Sequence, residues 1–237
     1  MKSEDTHVRK DVIREYIKKW PRLYYAIARI FGPVWFTGVS PHDFLSHYAR
    51  EGKKVNLGSG PKVLREDVIN IDINPYVGVS IVSDLSNLPL ESGTVAMAVC
   101  DNVLEHVTDP EAAVAEMYRI LEPDGVLYVS TPFLYPFHSS PSDYQRWTHQ
   151  GLRHALREFE IVDLGVRGGA MSGLTIWLCY VTASICSFGS IRMHTLILNL
   201  SLFIFFPVKY LDIILNLFPF SLETASVFYA VVRKRKS

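Results

Sequence analysis

A chain of 237 residues with 49% apolar and 12% aromatic content is long enough to bury a full core and too apolar to be disordered. Its three cysteines, Cys100, Cys179 and Cys186, form no CxxC pair, which excludes a disulfide framework and a zinc ribbon. A formal charge of zero argues, at first sight, against nucleic acid or any anionic surface as a partner.

That zero is an average over unlike parts. Residues 1–50 carry nine Lys/Arg against five Asp/Glu, and residues 51–167 carry nine against seventeen. Residues 168–222 carry only Arg192, Lys209 and Asp212, and residues 223–237 carry four basic groups against one acidic. An acidic middle lies between basic ends, beside a long segment nearly free of charge. The same boundaries serve as expected units: a helical extension (1–50), an α/β core (51–167), a hydrophobic helical insertion (168–222), and a last core strand with a basic tail (223–237). The start, MKSEDTHVRKD, is charged with no apolar run behind it, so no secretory signal is expected and the chain is placed on the cytoplasmic side.

In chain order, residues 7–19 read as a polar helix. Pro21 opens a second, with Leu23, Ile27, Ile30 and Phe31 on one stripe and Gly32-Pro33 as its stop. Aromatics and arginines around that stripe suit either a membrane interface or a helix capping the core. From residue 53 the pattern becomes strand, loop, helix. KKVNLGSGP, DVINIDINP, VSIVSDL, VAMAVCDNV and GVLYVSTP are short Val/Ile-rich strands of the kind buried on both faces of a parallel sheet. Helices are expected over Pro110–Leu121 and near Thr148–Arg157, and further strands at FEIVDLGV and ASVFYAVVRKR.

The loop Asn56-Leu57-Gly58-Ser59-Gly60-Pro61 follows the first of these strands. Its glycines let a ligand approach backbone N–H groups. Asp72, ending the next strand, offers two acceptor oxygens to a pair of ribose hydroxyls, and Asp84 ends the third. Ligands of open α/β sheets bind at these strand ends. A dinucleotide fingerprint is absent: the third glycine position holds Val63, and Asp72 follows Gly60 by twelve residues rather than about twenty.

VNLGSGP, NIDINPY, SDLSNLPL, DNVLEHV and MYRILEPDGVLYVSTP, in that order, resemble class I S-adenosylmethionine-dependent methyltransferases, and most closely the small bacterial enzymes of glycan or lipid pathways. The resemblance covers about residues 53–167 plus the last strand. It implies a Rossmann-like sheet with helices on both faces, an enzyme, and S-adenosylmethionine as cofactor. It implies that Gly58, Ser59 and Gly60 wrap the methionine part, with Asn56 at the ammonium. It sets Asp72 on the ribose, Ile73, Asp84 and Leu85 around the adenine, and Asp101 and Asn102 near the sulfonium. Asn56 stands where the family's first strand usually ends in an acidic residue, Ala96 where an Asp is common, and the first helix is shortened.

Transfer to a poor nucleophile such as a sugar hydroxyl needs help in removing a proton. One candidate is His106 of LEHV, which reads equally as a helix-positioning residue. The other is the loop Phe137–Thr148, where His138 is the expected base with Asp143 balancing its charge. Tyr144 and Arg146 are expected on the acceptor, although Arg146 reads also as an anchor of the loop. The remaining histidines have no ligand spacing, and no metal is expected.

Residues 168–191 contain no formal charge, and LILNLSLFIFFPV follows, but glycines, Pro207, Lys209 and Asp212 interrupt both stretches. Neither makes a clean spanning helix. If FEIVDLGV and ASVFYAVVRKR pair, both ends of the insertion lie on one side of any membrane. Helices lying in the inner leaflet, with basic termini toward anionic headgroups, are the expectation; a soluble lid is the alternative. The expected activity is methylation, as O-methylation, of a lipid-linked or glycan-type acceptor at the membrane, with no nucleic-acid partner. A binding module without turnover and a methyltransferase of a soluble small molecule are the alternatives.

Overall fold

The computed structural model describes residues 30–139 and 141–236. The helix expected over 7–19, and all but the end of the one opened by Pro21, lie outside that range. The described chain builds one seven-stranded sheet: β1 (Lys53–Leu57), β2 (Val68–Asp72), β3 (Ile81–Val82), β4 (Val95–Asp101), β5 (Leu121–Pro132), β6 (Glu160–Gly168) and β7 (Val227–Arg233). Their spatial order is β3-β2-β1-β4-β5-β7-β6. β1 to β5 pair parallel, and β7 lies antiparallel between β5 and β6. This is the Rossmann-like class I methyltransferase fold.

Buried residues of the central strands alternate between two cores, which is why their sequences read as unbroken apolar runs. Val55, Leu57, Ala98 and Cys100 meet Met117 and Ile120 of α2 (Pro110–Ile120) on one side. Met97, Val99, Val126 and Tyr128 meet Phe44 and Leu45 of α1 (Pro41–His47) on the other. α1 starts where Ser40 and Asp43 form a capping box, each side chain bonded to the other's backbone N–H. Burying Phe44 alone contributes about 2 kcal/mol. α3 (His149–Ala155) begins at Thr148, whose hydroxyl accepts the Gly151 N–H.

β5 begins at Leu121, earlier than the expected GVLYVSTP. A register shift against β4 at Val95–Met97 and a positive φ of 63° at Asp124 carry the strand through Glu122-Pro123-Asp124, which reads as a turn in sequence.

Between β6 and β7 the chain forms α4 (Ala170–Cys186), α5 (Ile191–Phe205), 3-10 turns over Phe206–Leu211, and the short helices α6 (Asp212–Leu215) and α7 (Ser221–Thr224). Of the three charges in residues 168–222, Arg192 is exposed near the start of α5, and Lys209 and Asp212 point inward. Asp212 is wholly buried and accepts the Met171 and Ser172 N–H groups and the Ser172 hydroxyl at 2.9, 2.8 and 2.6 Å. A carboxylate thus caps the N-terminus of α4, where the exposed N–H groups favour negative charge. Lys209, also buried, donates to the Gly32 carbonyl. The outward side is left apolar: Leu196, Leu200, Phe203, Ile204 and Ile214 are each more than half exposed.

Replacing Asp212 with alanine strands three buried donors, and the expected loss is about 2 kcal/mol of stability in chemical denaturation. Asp212→Asn, which retains an acceptor, is expected to lose less.

Candidate active site

The chain lays β2 and β3 on one side of β1 and then returns to lay β4 on the other. That reversal opens a crevice at the carboxyl ends of β1 and β4. Gly58 and Gly60 turn the chain there with φ of 66° and 54°. The N–H groups of Gly58 and Ser59 donate to the Ile71 carbonyl, which ties the loop to β2. A Cβ on Gly58 would lie 2.3 Å from a methyl of Val103, so only glycine lets the loop pass so close to the segment after β4.

A cavity of about 340 Å³ occupies the crevice. Gly58, Gly60, Asp72, Ile73, Asp84, Leu85 and Asn102 line it, as expected from sequence. Asp72 accepts the Gly60 N–H on one oxygen at 2.8 Å and the Asn74 N–H on the other at 2.9 Å. Each oxygen keeps a further lone pair for a ligand hydroxyl. Asn102, with φ of 54°, is held by its N–H on Ser130.

Three expected cofactor residues do not reach the cavity wall. Asn56 is buried beneath the loop and donates its amide to Asn70 Oδ1 at 3.1 Å, so it braces β1 against β2 instead of facing an ammonium. Ser59 donates its hydroxyl to the Gly60 carbonyl and is also largely buried. Asp101 is engaged by the Ser130 hydroxyl at 2.7 Å and by Lys62 Nζ at 3.2 Å. Conversely, Asn74, Tyr76, Val103 and Thr108 line the cavity without having been singled out. They follow strand ends, so only their distance from a recognised strand could have flagged them.

The loop after β5 closes the other end. The Tyr144 N–H donates to the Glu105 carbonyl at 2.8 Å, docking the loop on the 3-10 turn Leu104–His106. Pro141, Ser142, Tyr144 and His106 thereby join the cavity wall. His106 Nδ1 meets the Ser142 carbonyl, which fixes its proton there and leaves Nε2 as the basic nitrogen. His138, the expected base, stands behind His106 and does not line the cavity; the two rings meet edge-on at 5.1 Å. Burial depresses its pKa below the ordinary imidazole value, which favours the neutral ring.

Arg146 is not free for an acceptor. Both its terminal nitrogens reach Asp143, and it also donates to the Pro136 and Tyr135 carbonyls. This pair holds Asp143 down at a pKa of about 2. Asp143 in turn receives the His138 backbone N–H at 2.8 Å. Asp143 and Arg146 therefore latch the loop, and Tyr144 remains the expected acceptor residue that faces the cavity. Glu105 is wholly buried, and burial raises its pKa to about 8.

Residues 56–129 match a family described as Methyltransferase domain. Over these residues the chain is similar to methyltransferase domains. A curated relative, an uncharacterized 37.1 kDa protein in a transposon of Streptomyces fradiae, is 35% identical over 81 residues. That match covers 34% of this chain and 23% of the relative's length. Among solved structures, a putative sarcosine dimethylglycine methyltransferase from Galdieria sulphuraria aligns with a TM-score of 0.53 at 13% identity, covering 95% of this chain and 99% of that one. A Burkholderia thailandensis 1,6-didemethyltoxoflavin-N1-methyltransferase with S-adenosylhomocysteine bound aligns with a TM-score of 0.51 at 14% identity, covering 95% and 88%. These likenesses establish the fold.

The residues of the methyltransferase domain suit its cofactor. Among the described residues nothing lies within 4 Å of where a Cβ of Gly60 would sit, which leaves that side of the loop open to a ligand. Asp72 has acceptor capacity for two hydroxyls, and Ile73 and Leu85 give apolar flanks for an adenine. Asp72→Ala is expected to weaken S-adenosylhomocysteine binding about a hundredfold in calorimetry, since two hydrogen bonds to a carboxylate are lost. His106→Ala and His138→Ala are expected to lower turnover by about a hundredfold or more while that affinity stays within a few-fold.

Proposed function

We propose that the protein transfers a methyl group from S-adenosylmethionine to a hydroxyl of a lipid-linked or glycan-type acceptor, working on the inner leaflet of a membrane. The observation that carries this reading is the placement of the apolar insertion beside the acceptor end of the cavity. α4 packs on the loop that carries His138: a Cβ on Gly173 would lie 3.3 Å from the Leu134 carbonyl. Tyr135 of the same loop meets the His138 ring at 5.0 Å.

Ile191–Leu215 is 25 residues long with a mean hydropathy of 1.7, and only 17% of its most apolar window is buried. By length and composition it can cross a membrane, but β6 and β7 pair antiparallel, with Gly168 opposite Val227. The insertion leaves and rejoins the sheet at one point, so a single crossing is ruled out by connectivity. An apolar face lying in the headgroup and acyl boundary suits this geometry. The basic tail Arg233-Lys234-Arg235-Lys236 adds attraction to anionic lipid.

Bound in the cavity, S-adenosylmethionine supplies a methyl carbon whose bond to sulfur breaks as its bond to the acceptor oxygen forms. Gly58, Gly60 and Asp72 hold one end of the cavity, and Tyr144, Ser142 and His106 shape the other. Orientation and exclusion of water supply most of the rate for such a displacement. The hydroxyl proton must be weakened, and the cluster of Glu105, His106 and His138 is the group placed to do it.

Purified protein is expected to float with vesicles of anionic phospholipid, and Leu200→Asp with Phe203→Asp to weaken that association at least tenfold, since each buried large side chain contributes about 2 kcal/mol. Recovery of all the protein in the lipid-free fraction at low salt would overturn the membrane reading. Methyl-labelled cofactor incubated with lipid extract is expected to label the lipid phase; cofactor binding without any labelled product would leave a binding module.

A further inference from the structure

We propose that Glu105, His106 and His138 form a binding site for one divalent first-row transition cation at the acceptor end of the cavity. One ligand atom from each residue lies within 4.8 Å of the others. Nε2 of both rings is 3.8 Å from the same oxygen, Glu105 Oε1. Around a tetrahedral cation with bonds of roughly 2.1 Å, ligand atoms sit about 3.4 Å apart, so small side-chain rotations close the set.

The second observation is the state of Glu105. It is wholly buried, and among the described residues neither of its oxygens has a hydrogen-bond partner. Buried charges in proteins are paired or bind metals, because an unpartnered carboxylate away from water is costly. Arg146, the neighbouring cation, is committed to Asp143 through both terminal nitrogens. A cation bound beside Glu105 would hold it as the carboxylate, where burial alone favours the neutral acid.

Both rings are held from behind at Nδ1. His106 Nδ1 rests on the Ser142 carbonyl. His138 Nδ1 lies 3.4 Å from the Pro136 carbonyl, 3.5 Å from Asp143 Oδ2 and 3.5 Å from the donor Arg146 Nη2. The acceptor behind His106 Nδ1 places that ring's proton there and turns its Nε2 lone pair toward Glu105, the arrangement found behind metal-ligating histidines; at His138 the carbonyl and carboxylate favour the same tautomer against the Arg146 donor. Two imidazoles with one carboxylate suit zinc, manganese, iron or cobalt better than magnesium or calcium.

His106 lines the cavity, so an open coordination position would face the acceptor. The site rests on its own geometry; the role of the cation rests on the methyltransferase reading. There it would bind the acceptor hydroxyl and make it more acidic. The proton leaves to water, the oxygen takes the methyl group, and the cofactor departs as the neutral thioether.

The test is calorimetric titration of chelator-stripped full-length protein with Zn2+ and with Mn2+, with S-adenosylhomocysteine titrated separately. Wild type is expected to bind one equivalent of cation. Glu105→Gln and His138→Asn should lose that site, and Asp143→Asn should weaken it by about tenfold to a hundredfold, as loss of an outer partner does. S-adenosylhomocysteine affinity should stay within a few-fold in each variant, which also reports that it is folded. No cation bound by wild type, or equal binding by wild type and Glu105→Gln, overturns the inference; in that case Glu105 is buried as a neutral acid. Failure of S-adenosylhomocysteine to bind wild type overturns the cofactor reading instead and leaves the cation result standing.

Discussion

The cavity depends on one constraint: the chain reverses its direction of travel across the sheet between β3 and β4. Because β4 returns to the free edge of β1, the loops after these two strands are pushed apart above the sheet. The first of them must then turn within three residues and pass Val103 closely enough to exclude any side chain at Gly58. Asp72 completes the arrangement by holding the Gly60 N–H, so the acidic residue positions the glycine loop as well as facing the cavity. Ligand contacts and loop architecture thus share the same few groups.

The second organising feature is the treatment of charge in an apolar environment. Asp212 and Lys209 are spent inside the insertion, on an exposed helix N-terminus and on a backbone carbonyl. Turning both inward lets an apolar outer face form around them. The same accounting applies at Asp143 and Arg146, whose charges satisfy each other and the turns of the acceptor loop. Glu105 stands apart from this pattern, buried with no hydrogen bond to its carboxyl among the described residues and facing two imidazoles at 3.8 Å.

Much of the fold was legible because strand periodicity and composition are local. Val/Ile runs marked β1, β2, β4 and β7, and α2 begins at the expected Pro110. Residues at strand ends were legible for the same reason: Gly58, Gly60, Asp72, Asp84 and Asn102 lie on the cavity because every parallel strand of such a sheet points its carboxyl end there. Asn56 and Asp101 do not line the cavity, because a strand residue faces up or down according to pleat and neighbours. A partner thirty residues away, such as Ser130 for Asp101, leaves no local mark.

Sequence by itself determined the class of fold, the glycine loop and its acidic partner, and an insertion too apolar to lie free in water. These follow from side-chain periodicity and from the special backbone freedom of glycine. Only tertiary structure decided which histidine reaches the cavity, that Arg146 latches its own loop, and that Glu105 meets both His106 and His138. These depend on how the segment after β5 folds back over the turn after β4, and on the backbone contact from Tyr144 to Glu105 that holds it there. A contact between segments more than thirty residues apart is set by packing of the whole sheet, and no spacing in the chain records it.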